Sequence, residues 1–155
     1  MKKLISCWLI AAALSTAVFG CRKADTGADA QVTTLGSAEV TARLAEVPEG
    51  AIFQRELYDY ATVLKYEVVA VHRGVLKAGD VLFVAHYNPW KPRAEAADAR
   101  AKGIGGSVRQ FRAGQLHRLA LEVPLDDFYM GGVVDKYFGK HDGPIYWAVW
   151  TNSAE

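Results

Sequence analysis

The chain has 155 residues, of which 51% are hydrophobic, 11% are aromatic and 23% are charged, and its formal net charge is +1. This composition is typical of one globular domain with its own core and excludes a disordered or fibrous protein. The near-neutral charge provides no basic field of the kind that nucleic-acid-binding proteins use, so we predict no nucleic-acid partner. Two cysteines are too few for a disulfide framework or a four-cysteine metal site.

The N-terminal segment has the organisation of a secretory signal peptide. Two lysines precede an apolar run over 4–19, and Gly20 and Cys21 follow that run. The run is too short and wrongly flanked for a stable membrane span, so we predict a signal peptide over 1–20. A buried N-terminal helix is the alternative, and it is disfavoured because the run has no polar face for solvent.

The sequence Val18-Phe19-Gly20-Cys21 resembles the lipobox of bacterial lipoproteins. The resemblance implies that Cys21 is lipidated and becomes the mature N-terminus, which anchors the protein to a membrane of the cell envelope. Arg22 in place of aspartate after the cysteine implies the outer membrane, facing the periplasm. Ordinary cleavage is the alternative, but it would leave a lone exposed thiol in an oxidising compartment.

A tether and one domain follow the predicted lipidation site. Residues 21–36 are rich in small and polar side chains, which predicts a flexible connection between lipid and domain. From there the hydrophobic pattern has a period of two, with Val40, Ala42 and Leu44 on one face of a half-buried strand. We therefore predict a single β-barrel domain over 37–152.

The pattern that most strongly indicates a strand covers Tyr58 to His72, where tyrosine, valine, threonine and leucine dominate. Turn-forming residues over 73–80 separate it from a second apolar run, Val81 to Tyr87. The two runs predict a hairpin. A first strand of this length also predicts strong curvature or a bulge.

A long connection and two further strands make up the second half of the chain. An alanine-rich stretch with mixed charge predicts one short helix over Ala94 to Lys102. The glycine-rich run 103–106 ends that helix and is interpreted as a flexible loop. Strand patterns at 116–123 and 145–151 flank a region rich in glycine and proline that is predicted to be irregular.

These elements predict a mainly β fold, a small OB-like barrel of five or six strands with one short helix in a long connection. We prefer the OB-like barrel because a curved hairpin and an inserted helix are parts of that fold. A β-sandwich is the alternative, since several short strands with glycine- and proline-rich turns also suit it.

Catalytic motifs are absent from the sequence. It contains no Gly-x-Ser-x-Gly, no phosphate-binding loop pattern and no His-Glu-x-x-His. The histidines lack the short spacing that makes zinc ligation specific, so we predict no metal and no cofactor. Asp126, Asp127 or a histidine would serve a small periplasmic hydrolase. Solvated loop carboxylates are the simpler interpretation of these acids.

Charge and aromatic residues provide the indications of a binding site. Basic residues dominate 91–118, acidic residues dominate 122–142, and aromatic side chains crowd the second half of the chain. An exposed surface of this kind suits sugar rings with anionic groups, or a protein partner. Alternatively, the two charged stretches face each other and the aromatics pack beneath the long connection. The candidate ligand-binding residues are Tyr87, Trp90, Arg93, Arg109, Arg112, Trp147 and Trp150.

Several short motifs resemble a small secreted β domain that accompanies the acetyl-transferring domain of alginate O-acetyltransferase-like bacterial proteins. They lie at 66–74, 79–80, 84–87, 111–115, 119–121 and 146–147. The Gly-Asp-Ser nucleophile motif of the transferase part is missing from this chain. The resemblance therefore implies an accessory module with an OB-like fold that binds near envelope polysaccharide without performing the chemistry.

Together these observations predict an envelope lipoprotein that acts as a non-catalytic binding or accessory module. Its expected partners are the membrane, through the lipid anchor, and an envelope polysaccharide or a protein. A small hydrolase is one alternative. An inhibitor-like barrel similar to netrin-like domains is another, and the flexible tether counts against it because such an inhibitor needs a rigid N-terminus.

Overall fold

The computed structural model describes residues 34–53 and 58–154, together with Val32. The mainly β character that the sequence predicts is confirmed. The predicted signal peptide, Cys21 and most of the predicted tether lie outside the described residues. The described residues form six strands, namely β1 (Ala38–Glu46), β2 (Ala61–Arg73), β3 (Val81–Tyr87), β4 (Leu116–Glu122), β5 (Val133–Val134) and β6 (Ile145–Ser153).

Five of these strands close into a barrel. The strand order is β1-β4-β6-β3-β2, and β2 pairs back with β1, while the short β5 adds to β2 as an extra parallel strand. The β3–β6 pair is parallel and the other barrel pairs are antiparallel. One sheet closed on itself is consistent with an OB-like barrel and is not the two-sheet sandwich that was the alternative.

The predicted hairpin is formed by β2 and β3, with Ala61 opposite Tyr87 and Glu67 opposite Val81. The predicted curvature is also present. The β1–β2 ladder contains register shifts, one of them between Thr41 and Ala42, and such irregularities bend a strand. The bend lets β2 pair with β3 along one edge and with β1 along the other, which closes the barrel.

The barrel interior is filled by side chains that alternate along the strands. Leu44, Tyr66, Val84 and Leu119 are representative members of this interior core. The connection between β3 and β4 closes the end of the barrel at which β3 ends and β4 begins. Its contribution to the interior core comes from Val108 and Phe111.

The short helix predicted over Ala94 to Lys102 is not formed. A three-residue 3-10 turn, Arg93–Glu95, follows Pro92, and the chain then continues irregularly. The carboxylate of Asp98 accepts hydrogen bonds from the backbone N–H groups of Arg100 and Ala101, which favours a local turn over a continued helix. Tertiary contacts of this segment outweigh its modest helix propensity.

A second core lies on the outer face of β2, β3 and β6. Val63, Tyr87 and Trp147 project there and are covered by the connection after β3 and by the loops around β5. Tyr129 from those loops stacks on Trp147, with ring centroids 4.9 Å apart and planes 7° from parallel. Of the two arrangements considered for the aromatics, burial beneath the connecting segments therefore accounts for Tyr87 and Trp147.

The glycine-rich run 103–106 is part of this cover. The backbone of Gly105 pairs with β6 beside Trp150, through hydrogen bonds to Val149 and Thr151. A Cβ at Gly105 would lie 2.5 Å from the Trp150 ring, so the close approach requires glycine. The interpretation as a flexible loop is thus wrong for Gly105.

Among the described residues, no helix has the length and apolar character that crossing a membrane requires.

Candidate functional site

A groove of about 330 Å³ opens at the end of the barrel that the β3–β4 connection closes. Two arginines stand at its rim, and none of its lining residues is acidic. Such a surface favours anionic ligands. The groove is lined by Ser107, Val108, Arg109, Gln110, Arg112, Gln115, His117 and Ser153.

Backbone and side-chain hydrogen bonds hold the rim of the groove in place. The N–H of Ser107 bonds to the carbonyl of Thr151 in β6, and the N–H of Gly114 bonds to the carbonyl of Leu44 in β1. Beside the second attachment, the side chain of Gln115 accepts a hydrogen bond of 2.9 Å from the N–H of Arg112. The rim therefore projects its side chains from a segment fixed at both ends.

Arg109 and Arg112, two of the predicted ligand-binding residues, meet at this groove. Both side chains are exposed. The Arg112 guanidinium donates to Gln110 Oε1 at 2.8 Å, which orients it without neutralising its charge. Neither arginine pairs with a carboxylate among the described residues, so both charges remain available to a ligand.

His117 forms part of the groove and connects it to the barrel interior. Its Nδ1 lies 2.9 Å from the hydroxyl of Tyr66, which is fully buried. Burial lowers the pKa of His117 to about 4, so the imidazole is neutral near pH 7. Burial also raises the pKa of Tyr66 well above its ordinary value, so the phenol keeps its proton.

Arg93, another predicted ligand-binding residue, is 2% exposed and lies behind the groove. Its guanidinium donates to the carbonyls of Asn88 and Lys91 and lies 5.2 Å from the centroid of the Phe111 ring. Arg93 does not line the groove, and its guanidinium is bonded to backbone carbonyls, so its predicted contact with a ligand stays a prediction. Burial lowers its pKa to about 10, so it still contributes a positive charge behind the groove near pH 7.

His86 is the other polar residue of this interior region. It is fully buried, and neither ring nitrogen has a hydrogen-bond partner among the described residues. Its ring lies 4.5 Å from that of Phe111 and 5.7 Å from that of Tyr66. Burial is the main cause that lowers its pKa well below the ordinary value, and the charge of Arg93, like that of His117 when protonated, acts in the same direction.

Tyr87 and Trp147 do not provide a stacking surface for a ligand, since they are 0% and 4% exposed. The hydroxyl of Tyr87 donates to Asp98 at 2.7 Å.

Trp150 is half-buried, and its ring lies against Gly105. A register shift between β4 and β6 leaves Val149 unpaired. The alternation of β6 changes there, so Trp150 does not lie on the face of Tyr146, where strict period-two alternation would place it.

Trp90 belongs to an aromatic cluster at the same end of the barrel as the groove. Its ring lies 4.6 Å from that of Tyr60, and Tyr60 in turn contacts Phe53 at 6.1 Å. Phe53 is exposed, while Tyr60 and Trp90 are half-buried. The structure thus separates Trp90 from Tyr87 and Trp147 and places it in a partly accessible group.

Among the described residues, the ion pairs of the basic stretch, 91–118, are not formed with the acidic stretch, 122–142. Lys91 and Arg100 both pair with Asp59, which lies before β2. Arg118 pairs with Glu39 of β1 at 2.6 Å, a partly buried contact between neighbouring strands. These partners all lie outside the acidic stretch.

A second groove, of about 290 Å³, lies among the acidic loops. Asp126, Asp135 and His141 line it, and Asp127 does not. His141 Nε2 is 4.0 Å from Asp135 Oδ2, which is longer than a hydrogen bond, and the His141 ring stacks on Phe83. Among the described residues no group of three or more metal-ligating side chains is present.

Comparison with known proteins identifies no relative, because neither a family model, nor a curated protein, nor a solved structure matches the chain. Function is therefore inferred from the site itself. The contact between Tyr66 and His117 beside the groove was not predicted from the sequence. The available signal was their alternation with apolar residues, which places two polar aromatic side chains on the inward faces of β2 and β4.

Proposed function

We propose that this protein is a non-catalytic, lipid-anchored binding module of the bacterial cell envelope, and that its basic groove binds the carboxylate groups of an anionic polysaccharide. The observation that carries the proposal is the groove itself. Arg109 and Arg112 stand at its rim without carboxylate partners among the described residues, and no acidic side chain lines it. Arginine donors suit carboxylates because the guanidinium fork matches the two acceptor oxygens.

Two further features support a sugar polymer as the ligand. The aromatic cluster of Phe53, Tyr60 and Trp90 lies at the same end of the barrel and includes exposed ring surface. Aromatic rings provide apolar faces on which sugar rings stack. The buried charge of Arg93 adds to the positive field behind the groove. An acidic polysaccharide can use both the basic groove and the rings.

The experiment is a titration of the purified protein with oligogalacturonate, a uronic acid oligomer, and with its methyl ester, which has the same rings without charge. Binding is followed by calorimetry. We expect saturable binding of the acid and much weaker binding of the ester. Replacing Arg109→Gln and Arg112→Gln removes two charged donors, which weakens binding by about tenfold or more.

The matched control replaces two exposed lysines in the acidic part of the chain, Lys136→Gln and Lys140→Gln. This variant loses the same net charge as the arginine variant but leaves the groove unchanged. Equal weakening by both variants would show that affinity follows overall charge and not the groove. Equal affinity for the acid and its ester would contradict the proposal directly.

A protein partner is the second candidate. The observation that favours it is an exposed apolar surface near β5, where Met130 is 91% exposed and Phe138 is 87% exposed. Large exposed side chains of this kind commonly mark contact surfaces. A photoreactive side chain at Met130 that cross-links to one defined envelope protein in living cells would support this candidate. The absence of a specific adduct would remove it.

A further inference from the structure

The hydrogen bond between Tyr66 and His117 fixes which proton His117 carries. The phenol is fully buried and neutral, and the only partner found for its hydroxyl among the described residues is His117 Nδ1. If Nδ1 carried the proton, it would donate to the phenol oxygen. The hydroxyl hydrogen of Tyr66 would then be buried without an acceptor, which is unfavourable. The arrangement in which Tyr66 donates to Nδ1 satisfies both groups.

The second ring nitrogen of His117 then carries the proton. In a neutral imidazole one nitrogen is an acceptor and the other a donor, so acceptance at Nδ1 places the hydrogen on Nε2. The buried nitrogens without partners in the described part of the chain include both of His86 and neither of His117. His117 is only 1% exposed, but it lines the groove, so with Nδ1 bonded inward Nε2–H is the polar group through which it meets a ligand at the groove floor.

We propose that Tyr66 is a positioning residue for ligand selection: it holds His117 as a fixed Nε2–H donor, so that His117, Arg109 and Arg112 present donors only and select carboxylate-bearing sugars. This inference rests on the proposed function and deepens it. The charges of Arg109 and Arg112 reject cationic ligands by repulsion. The donor-only set also discriminates against uncharged ones, because an ester or hydroxyl accepts these hydrogen bonds more weakly than a carboxylate does.

The test is Tyr66→Phe, which removes the hydroxyl and keeps the ring. The matched control is Tyr87→Phe, which also removes a phenol hydroxyl, but one that bonds to Asp98 away from the groove. Long-range proton–nitrogen NMR correlations report the tautomer of His117 in the ligand-free protein. We expect Nε2–H alone in the wild type and in Tyr87→Phe, and both tautomers in Tyr66→Phe.

Calorimetry with oligogalacturonate is the second readout. Tyr66→Phe is expected to bind about three- to tenfold more weakly than the wild type, with Tyr87→Phe unchanged. A wild-type His117 protonated on Nδ1 would overturn the inference, whatever the affinity. An unaltered affinity in Tyr66→Phe, with its tautomers mixed, would overturn the role in selection. Failure of the wild type to bind oligogalacturonate contradicts the proposed function instead, while the tautomer measurement still decides how Tyr66 acts on His117.

Discussion

His86 is the residue whose chemistry fits its surroundings least well. The His86 ring lies in the barrel interior, and its nitrogens have no hydrogen-bond partner among the described residues. It is therefore stable only in its neutral form, because protonation would place an uncompensated charge near Arg93. His117 is also held neutral, by burial. Both histidines alternate with apolar residues in their strands, so their inward orientation could be predicted from the sequence. Their shared contact with Phe111 could not, since that ring arrives from the β3–β4 connection.

The two buried imidazoles predict a stability that falls as the pH falls. Below pH 6.5 the unfolded chain binds protons on both histidines while the folded chain does not, so the free energy of unfolding decreases on acidification. Each imidazole that stays neutral in the folded chain at pH 5 lowers stability by about 2 kcal/mol relative to pH 7.5. Denaturant unfolding across that range measures the loss.

His86→Leu removes one of the two buried imidazoles and replaces it with an apolar side chain. We expect this variant to lose less stability between pH 7.5 and pH 5 than the wild type. Leu119→Ala is the control, because it also alters the interior core but removes no titratable group, so its pH dependence should match that of the wild type. If His86→Leu and the wild type show the same pH dependence, His86 does not bind its proton differently in the folded and unfolded states.

At the scale of secondary-structure elements, the strands lie where the sequence predicts them, whereas the β3–β4 connection does not have the predicted structure. Alternation of apolar residues predicted β1, β2, β3, β4 and β6 to within a few residues at their ends. The β3–β4 connection was predicted to contain a helix, and it instead closes the barrel end with Val108 and Phe111 and covers β6 with 104–107. Local propensity cannot reveal such contacts, because they depend on strands distant in the chain.

Gly106 offers a test of this covering arrangement. Its φ is +133°, and a Cβ there would overlap the backbone of Thr151 in β6. We expect Gly106→Ala to destabilise the fold by about 1–3 kcal/mol or more, since strain and overlap act together. Gly103→Ala is the control, because Gly103 also has a positive φ but a methyl group there would meet no described atom within 4 Å. If both variants lose the same free energy of unfolding in denaturant, the close packing of Gly106 against β6 does not contribute to stability.

At the scale of the whole molecule, the near-zero net charge conceals two different surfaces. The groove end presents Arg109 and Arg112, whereas the loops around β5 carry Asp126, Asp127, Asp135 and Asp142. The segregation of charge along the sequence was compatible with two separate regions and with two stretches that face each other. The sequence could not show whether they pair, and the ion pairs to Asp59 and Glu39 answer that question.

Membrane attachment is the other prediction at this scale. If Cys21 carries lipid, Cys21→Ser moves the protein from the membrane fraction to the soluble fraction, because several acyl chains are what makes such anchoring stable. Fractionation with mass spectrometry of the mature N-terminus measures both the location and the modification. Recovery of Cys21→Ser in the membrane fraction, at the wild-type level, would show that another contact provides the attachment.

The sequence by itself determined the mainly β fold and the curved hairpin, and it included Arg109 and Arg112 among seven candidate binding residues. Period-two alternation and local turn chemistry are properties of neighbouring residues, so they can be recognised without a tertiary structure. Only the tertiary structure decided which aromatic residues are buried and that Tyr66 orients His117. Tyr66 and His117 lie on separate strands, β2 and β4, that do not pair with each other. Barrel closure and interior packing bring their side chains into contact, and no short sequence pattern encodes that closure.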